Sequence, residues 1–233
     1  MSSTAFAQGF AASADGGYVN ASCCGGSLDG FTLNCAVMFP LSASNLGVEL
    51  NAGDHGIGPF HDFDAGGSLI WGGPNFRLAG TAVYNRFGTH GFDVSETQLG
   101  GGLEWYFNPW LTGSVQGGGI VGDNSGGYFG GGLKGYVFPD LSLSGQILYT
   151  SIAGVHETDY GVRGEWLVLP TTLPLSIYAG YTRADLSGGA PSFDVFSVGL
   201  KFYLDGPGTA PLVERNRTGT LDTIGVVRPA ITF

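Results

Sequence analysis

Two clusters in this chain hold residue types that could do chemistry. His55, His61, Asp62 and Asp64 fall within the stretch GDHGIGPFHDFDAGG, and His156, Glu157 and Asp159 within GVHETD. Imidazole and carboxylate together suit transition metals. Ser151 beside His156, and Ser95 beside His90, could begin a nucleophile–base pair. Neither pair develops. No third group orients the base, no G-x-S-x-G elbow occurs, and no glycine run leads into Gly-Lys-Ser/Thr. Strings such as GGGLEW and GGGLKG read as strand rather than phosphate cradles. The plainer reading, acidic polar loops in water, is adopted. No catalytic residue, metal ligand or cofactor is assigned, and no enzyme is expected.

A second set of charges is more informative: Glu49, Arg77, Glu104, Lys134, Arg163, Glu165 and Lys201. Each stands in the middle of a stretch that alternates apolar and polar residues. In 197–204, Val198, Leu200, Phe202 and Leu204 oppose Ser197, Gly199, Lys201 and Tyr203. In 98–107, Leu99, Leu103, Trp105 and Phe107 oppose Gln98, Glu104 and Tyr106. This is the period-two pattern of strands with one apolar and one polar face. The charges all belong to the polar face.

The composition limits what such strands can build. Of 233 residues 43 are glycine, yet 43% are hydrophobic and 13% aromatic, which is too apolar for disorder. Glycine costs a helix interior about 1 kcal/mol relative to alanine, so a helical protein is not expected. Only 12% of residues are charged, about half the usual ~25%. A formal net charge of −10 argues against nucleic acid as a partner. No run of 18 apolar residues offers a transmembrane helix.

Prolines recur at Pro40, Pro74, Pro109, Pro139 and Pro170, each between two strand-like runs, as a tight turn would place them. The intervening segments 53–67, 88–96, 122–127, 154–159 and 184–192 hold all the histidines and many acids. They are expected to be longer loops at the opposite end. Trp71, Trp105, Trp110 and Trp166 all lie within four residues of a turn proline, joined by Tyr106, Phe107 and Phe138. Aromatic rings with a polar handle favour a membrane–water interface. A ring of them at one end of many strands is an aromatic girdle. Together with inward charges and tight turns, it points to an all-β, antiparallel up-and-down transmembrane β-barrel. A soluble sandwich would give no reason for the tryptophans to gather at one end.

Twelve strands are expected, near 16–22, 31–39, 44–53, 65–73, 75–86, 97–107, 111–121, 128–138, 141–152, 159–169, 173–183 and 193–204. Ten is the alternative, because the first hairpin is atypical. Residues 1–15 are read as an N-terminal tail in which Ala5-Phe6-Ala7 resembles the end of a secretory signal. Residues 16–204 would be the barrel, and 205–233 a C-terminal tail on the short-turn side. That tail, on the periplasmic side, is either a disordered extension or a segment that folds into the lumen as a partial plug or binds a partner there, with a lesser option that the tail itself is read by the insertion machinery. Val213, Ile224, Val226, Val227 and Ile231 offer apolar surface, and Phe233 ends the chain. Cys24 with Cys35 could close a hairpin loop, though all three cysteines, Cys23 included, also suit small apolar positions.

Ser197, Gly199, Phe202 and Leu204 occupy the places of the terminal-strand pattern read by the insertion machinery of outer-membrane barrels. Across 16–204 the chain resembles small porin-like and surface-antigen barrels of the bacterial outer membrane. The resemblance implies a lipid bilayer and the barrel insertion machinery as partners. The leading expectation is a narrow passage for small solutes, lined by the mid-strand charges. The alternative is a closed structural barrel whose acidic surface loops bind a partner or envelope component.

Overall fold

The computed structural model describes residues 10–41, 45–89, 91–169, 174–188, 190–204 and 210–221. Among them are twelve strands and one helix. The strands are β1 (Ala11–Cys23), β2 (Gly26–Pro40), β3 (Leu46–Ile57), β4 (Phe60–Gly73), β5 (Phe76–Thr89), β6 (Phe92–Asn108), β7 (Leu111–Gly122), β8 (Gly126–Phe138), β9 (Leu141–Ile152), β10 (Val155–Leu169), β11 (Leu175–Leu186) and β12 (Phe193–Tyr203). The helix α1 is Leu212–Thr218. Every strand pairs antiparallel with its sequence neighbours, and β1 pairs with β12, which closes the sheet into a barrel without edges. The Ala5-Phe6-Ala7 stretch, His90, Pro170, and the tail residues Ile224, Val226, Val227, Ile231 and Phe233 lie outside the described residues.

All twelve expected strands are present, but three of the segments expected as long loops, 53–67, 88–96 and 154–159, are largely strand. Residues 53–67 form the ends of β3 and β4 around a turn at Gly58-Pro59. The stretch at 154–159 opens β10 after a turn at Ala153-Gly154. Alternation continues through these acidic segments. In β10 Glu157 and Asp159 are buried whereas His156 and Tyr160 are exposed. Charge density suggested a loop; the face on which each charge falls is what keeps it in the ladder.

The outer surface is apolar, as lipid contact requires. Trp71, Trp105, Trp110, Trp166, Phe107 and Phe138 are all exposed on it near the proline turns. Phe76 packs edge-on to Trp71 and stacked on Trp105. A second ring, which proximity to proline could not reveal, stands toward the acidic end: Tyr18, Phe31, Phe63, Tyr84, Phe129, Tyr149, Tyr160, Tyr181 and Phe196 are also exposed. Aliphatic side chains such as Leu50, Leu69, Leu99, Leu133 and Val162 fill the belt between. On β4, Phe63 and Trp71 bracket this belt about 26 Å apart along the strand, at ~3.3 Å per residue. At the ~35–45° strand tilt of membrane barrels this spans about 20 Å of height, close to their ~25 Å apolar band.

Inside, rings lie against glycines. A Cβ at Gly17 would sit 2.6 Å from the Tyr178 hydroxyl, and one at Gly118 2.8 Å from the Tyr128 hydroxyl. The absence of a side chain at these positions lets a tyrosine lie flat across the neighbouring strand.

Candidate functional site

The interior holds the charges that the alternation assigned to it. Glu49, Arg77, Glu104, Lys134, Glu165 and Lys201 are buried inside the barrel, and Arg163 is half-buried. The ladder sets Arg77 directly opposite Glu104. Its Nε donates to Glu104 Oε2 at 2.7 Å, and its Nη2 lies 2.6 Å from the same oxygen. The Arg163 guanidinium lies 3.9 Å over the Tyr178 ring, and Lys201 Nζ 4.9 Å from the Tyr203 ring.

Tyr106 departs from the expected girdle. It follows outward Trp105 on β6, so its ring turns inward, and its hydroxyl donates to Glu104 Oε2 at 3.3 Å. Alternation outweighs proximity to Pro109. Ser197 and Gly199 face the lumen, while Leu204 is exposed and Phe202 half-exposed on the outer side of the terminal strand.

The segment 210–221 lies inside the mouth bounded by the proline turns. The amide of Val213 donates to Pro139 O at 3.2 Å, which fixes that end. Leu212 is fully buried against Tyr136, Leu167 and Tyr203. Across the mouth, Leu221 packs on Ala11, Met38, Ile70 and Ala79. Polar contacts bind the segment between them. Arg77 Nη1 donates to Gly219 O and its Nη2 to Asn216 O, both at 2.7 Å. The Leu221 amide donates to Glu49 Oε2 at 2.6 Å, and Ser13 Oγ meets Thr220 Oγ1 at 2.9 Å. Arg217 donates to Asn108 O at 2.7 Å and lies over the Tyr106 ring at 4.8 Å. Residues 210–221 are thereby held between opposite walls of that mouth.

Beyond Leu221 lies a polar cavity of about 450 Å³ whose lining mixes Lys134, Arg163 and Lys201 with Asp15, Glu49, Asp64 and Asp159; Asp15 stands directly opposite Lys201 in the ladder. Toward the acidic end Ile120, Tyr128, Leu148 and Ile152 form an inward apolar cluster. The remaining wall at that end carries Asp62, Asp64, Glu96, Glu157 and Asp159, all buried.

The three described histidines do not converge. His55 turns inward, with Nε2 3.3 Å from Asp64, whereas His61 turns outward to Asp54 at 2.9 Å. His156 bonds the Tyr149 hydroxyl through Nδ1 at 2.9 Å, and its backbone amide donates to Ser187 Oγ. Among the described residues no three His, Cys, Asp or Glu side chains come together to hold a metal. Cys23 and Cys24 are joined to each other at the β1–β2 turn, and Cys35 is free and exposed. Cys35 stands opposite Ala14 in the ladder, so the Cys24–Cys35 closure does not form.

These features define a transmembrane β-barrel with a polar, partly occupied interior. No family model matches the chain, and no curated protein matches it. Solved structures do share its fold. The KdgM porin superposes with a TM-score of 0.59 at 9% identity, covering 82% of this chain and 98% of its own. The NanC porin gives 0.59 at 12% identity with the same coverage. An outer membrane channel from Pseudomonas putida F1 gives 0.56 at 12%, covering 84% and 94%.

Proposed function

We propose that the protein is a narrow porin-like passage for small solutes in a bacterial outer membrane, with its C-terminal segment seated in the inner mouth. The observation that carries this reading is the polar cavity of about 450 Å³ enclosed by a barrel whose exterior is apolar between two aromatic rings. A barrel serving only as a scaffold could fill its interior with apolar side chains. Here Lys134, Arg163, Lys201, Glu49 and Asp64 surround open space. Twelve strands lie between the ~8 that side chains can fill and the ~16–18 of open porins. The fold neighbours named as porins and channels support the reading. The alternative, acidic surface loops that bind a partner, is weakened because 53–67, 88–96 and 154–159 are mostly strand and Asp62, Asp64, Glu96, Glu157 and Asp159 turn inward.

The start of β1 and the end of β12 lie on the proline-turn side, which would be the periplasmic side as in single-chain bacterial barrels. Insertion machinery would then read β12 through Ser197, Gly199, Phe202 and Leu204. The test is current across a planar bilayer containing the refolded full chain. Discrete steps at low conductance are expected; a bilayer that stays silent with correctly folded protein contradicts the proposal.

A further inference from the structure

The C-terminal segment is anchored unequally at its two ends. At the near end, where it follows β12, Leu212 is fully buried against Tyr136, Leu167 and Tyr203, which are 5%, 2% and 4% exposed. Val213 packs on the same cluster. The Leu212 amide donates to Asp140 Oδ1 at 3.4 Å and the Val213 amide to Pro139 O at 3.2 Å. Farther along α1, Arg217 donates to Asn108 O and Leu111 O, and the Tyr106 hydroxyl donates to Arg217 O. The helix is thus held to β8, β10, β12 and the β6–β7 turn by apolar packing and by bonds together.

The far end is held more lightly. Leu221 is half-buried on Ala11, Met38, Ile70 and Ala79, two of which offer only a methyl group. Its neighbours are fixed by polar contacts: Thr220 with Ser13, the Leu221 amide with Glu49, and Gly219 O with Arg77. Arg77 also pairs with Glu104, so its charge stays compensated when Gly219 O leaves. Water can replace such bonds at small net cost, whereas pulling a fully buried leucine away from tyrosine rings exposes its whole apolar surface. Unequal contacts of this kind let one part of a fold open while the rest stays in place. Between the two ends lies Gly219, where the chain leaves α1 in an extended conformation. A Cβ there would sit 2.5 Å from Arg215 O, so the exit needs glycine. Position separates the two ends as well. Ser13, Glu49 and Leu221 line the polar cavity, and among the described residues none of α1 does.

We propose that Gly219–Leu221 is the moving arm of a gate: it leaves and regains its dock on β1, β2, β4 and β5 while α1 stays seated. Its departure removes Leu221 from the cavity wall and connects the cavity to the inner mouth beside Ser13 and Glu49. This gate rests on the proposed passage and adds which part of the segment opens it.

The experiment is unitary current in planar bilayers, using the full chain with Cys35→Ser as parent and two cysteine pairs built on it. Ser13→Cys with Thr220→Cys, at side-chain oxygens 2.9 Å apart, ties the far dock. Leu167→Cys with Leu212→Cys ties the near dock. Closure of each bond is read by peptide mass mapping without reductant. The parent is expected to dwell at a small level and to visit one severalfold larger. Tying the far dock should abolish the larger level, and reductant should restore it; tying the near dock should leave both. A larger level that survives the far tie, or is lost with the near tie, overturns the gate and leaves the passage standing. A parent with a single level does the same. Silence from every folded chain, including one ending at Leu204, overturns the passage itself. Should the paired variants fail to fold, Leu221→Ser should lengthen the time at the larger level severalfold, and an unchanged dwell time overturns the gate.

Discussion

At Arg77 one guanidinium does two things: it neutralises Glu104 across the β5–β6 ladder, and it holds two carbonyls of the C-terminal segment. Both side chains are almost wholly buried. Replacing Arg77 by alanine leaves a buried carboxylate and two carbonyl acceptors without their donor. The expected loss is about 3–5 kcal/mol in urea unfolding of the detergent-folded barrel. Arg77→Lys should recover only part of this, because an ammonium cannot present the planar fork that reaches Glu104, Asn216 and Gly219 together. Gly118 offers an independent check. Gly118→Ala puts a methyl against the Tyr128 ring and the facing backbone, and should destabilise the barrel by about 1–3 kcal/mol in the same assay. The inward direction of Arg77 and Glu104 was legible from alternation. Their pairing was not, because it depends on register, which hairpin turns set only once the strands are built. Tyr106 shows the reverse case: its face was legible, and clustering near Pro109 obscured it.

Among the elements, α1 is too short to be helical by its own propensity, since isolated helices below ~12–15 residues are marginal in water. Its order comes from Leu212 and Leu221 docking on opposite walls and from the bonds to Arg77, Tyr106 and Glu49. The barrel strands owe nothing comparable to it. A chain ending at Leu204 should still form an SDS-resistant barrel whose gel migration changes on boiling. The strands themselves were legible wherever apolar and polar residues alternate. Their outer ends were not, because Asp62, Asp64, Glu157 and Asp159 resemble loop composition until their two-residue spacing is set against the outward Phe63 and Tyr160. The plug was legible only as one of several readings of the tail, since its contacts join residues more than a hundred positions apart.

For the whole molecule, the decisive feature is an apolar belt between two aromatic rings, enclosing charge. Trp71, Trp105, Trp110 and Trp166 made one ring visible in sequence; the tyrosine-rich ring escaped because its members have no common neighbour along the chain. The belt predicts a depth dependence. Leu133→Arg, in mid-belt, should cost about 2–4 kcal/mol in folding into vesicles, whereas Phe138→Arg, near the proline turns, should cost ~0–1 kcal/mol. Equal costs would place the bilayer elsewhere. The central claim, a lumen that conducts and an inner segment that narrows it, is tested most directly by unitary conductance in planar bilayers. The full chain should be compared with a chain ending at Leu204. The account predicts small steps from the first and severalfold larger steps from the second. Equal conductance, or silence from both folded proteins, would contradict it.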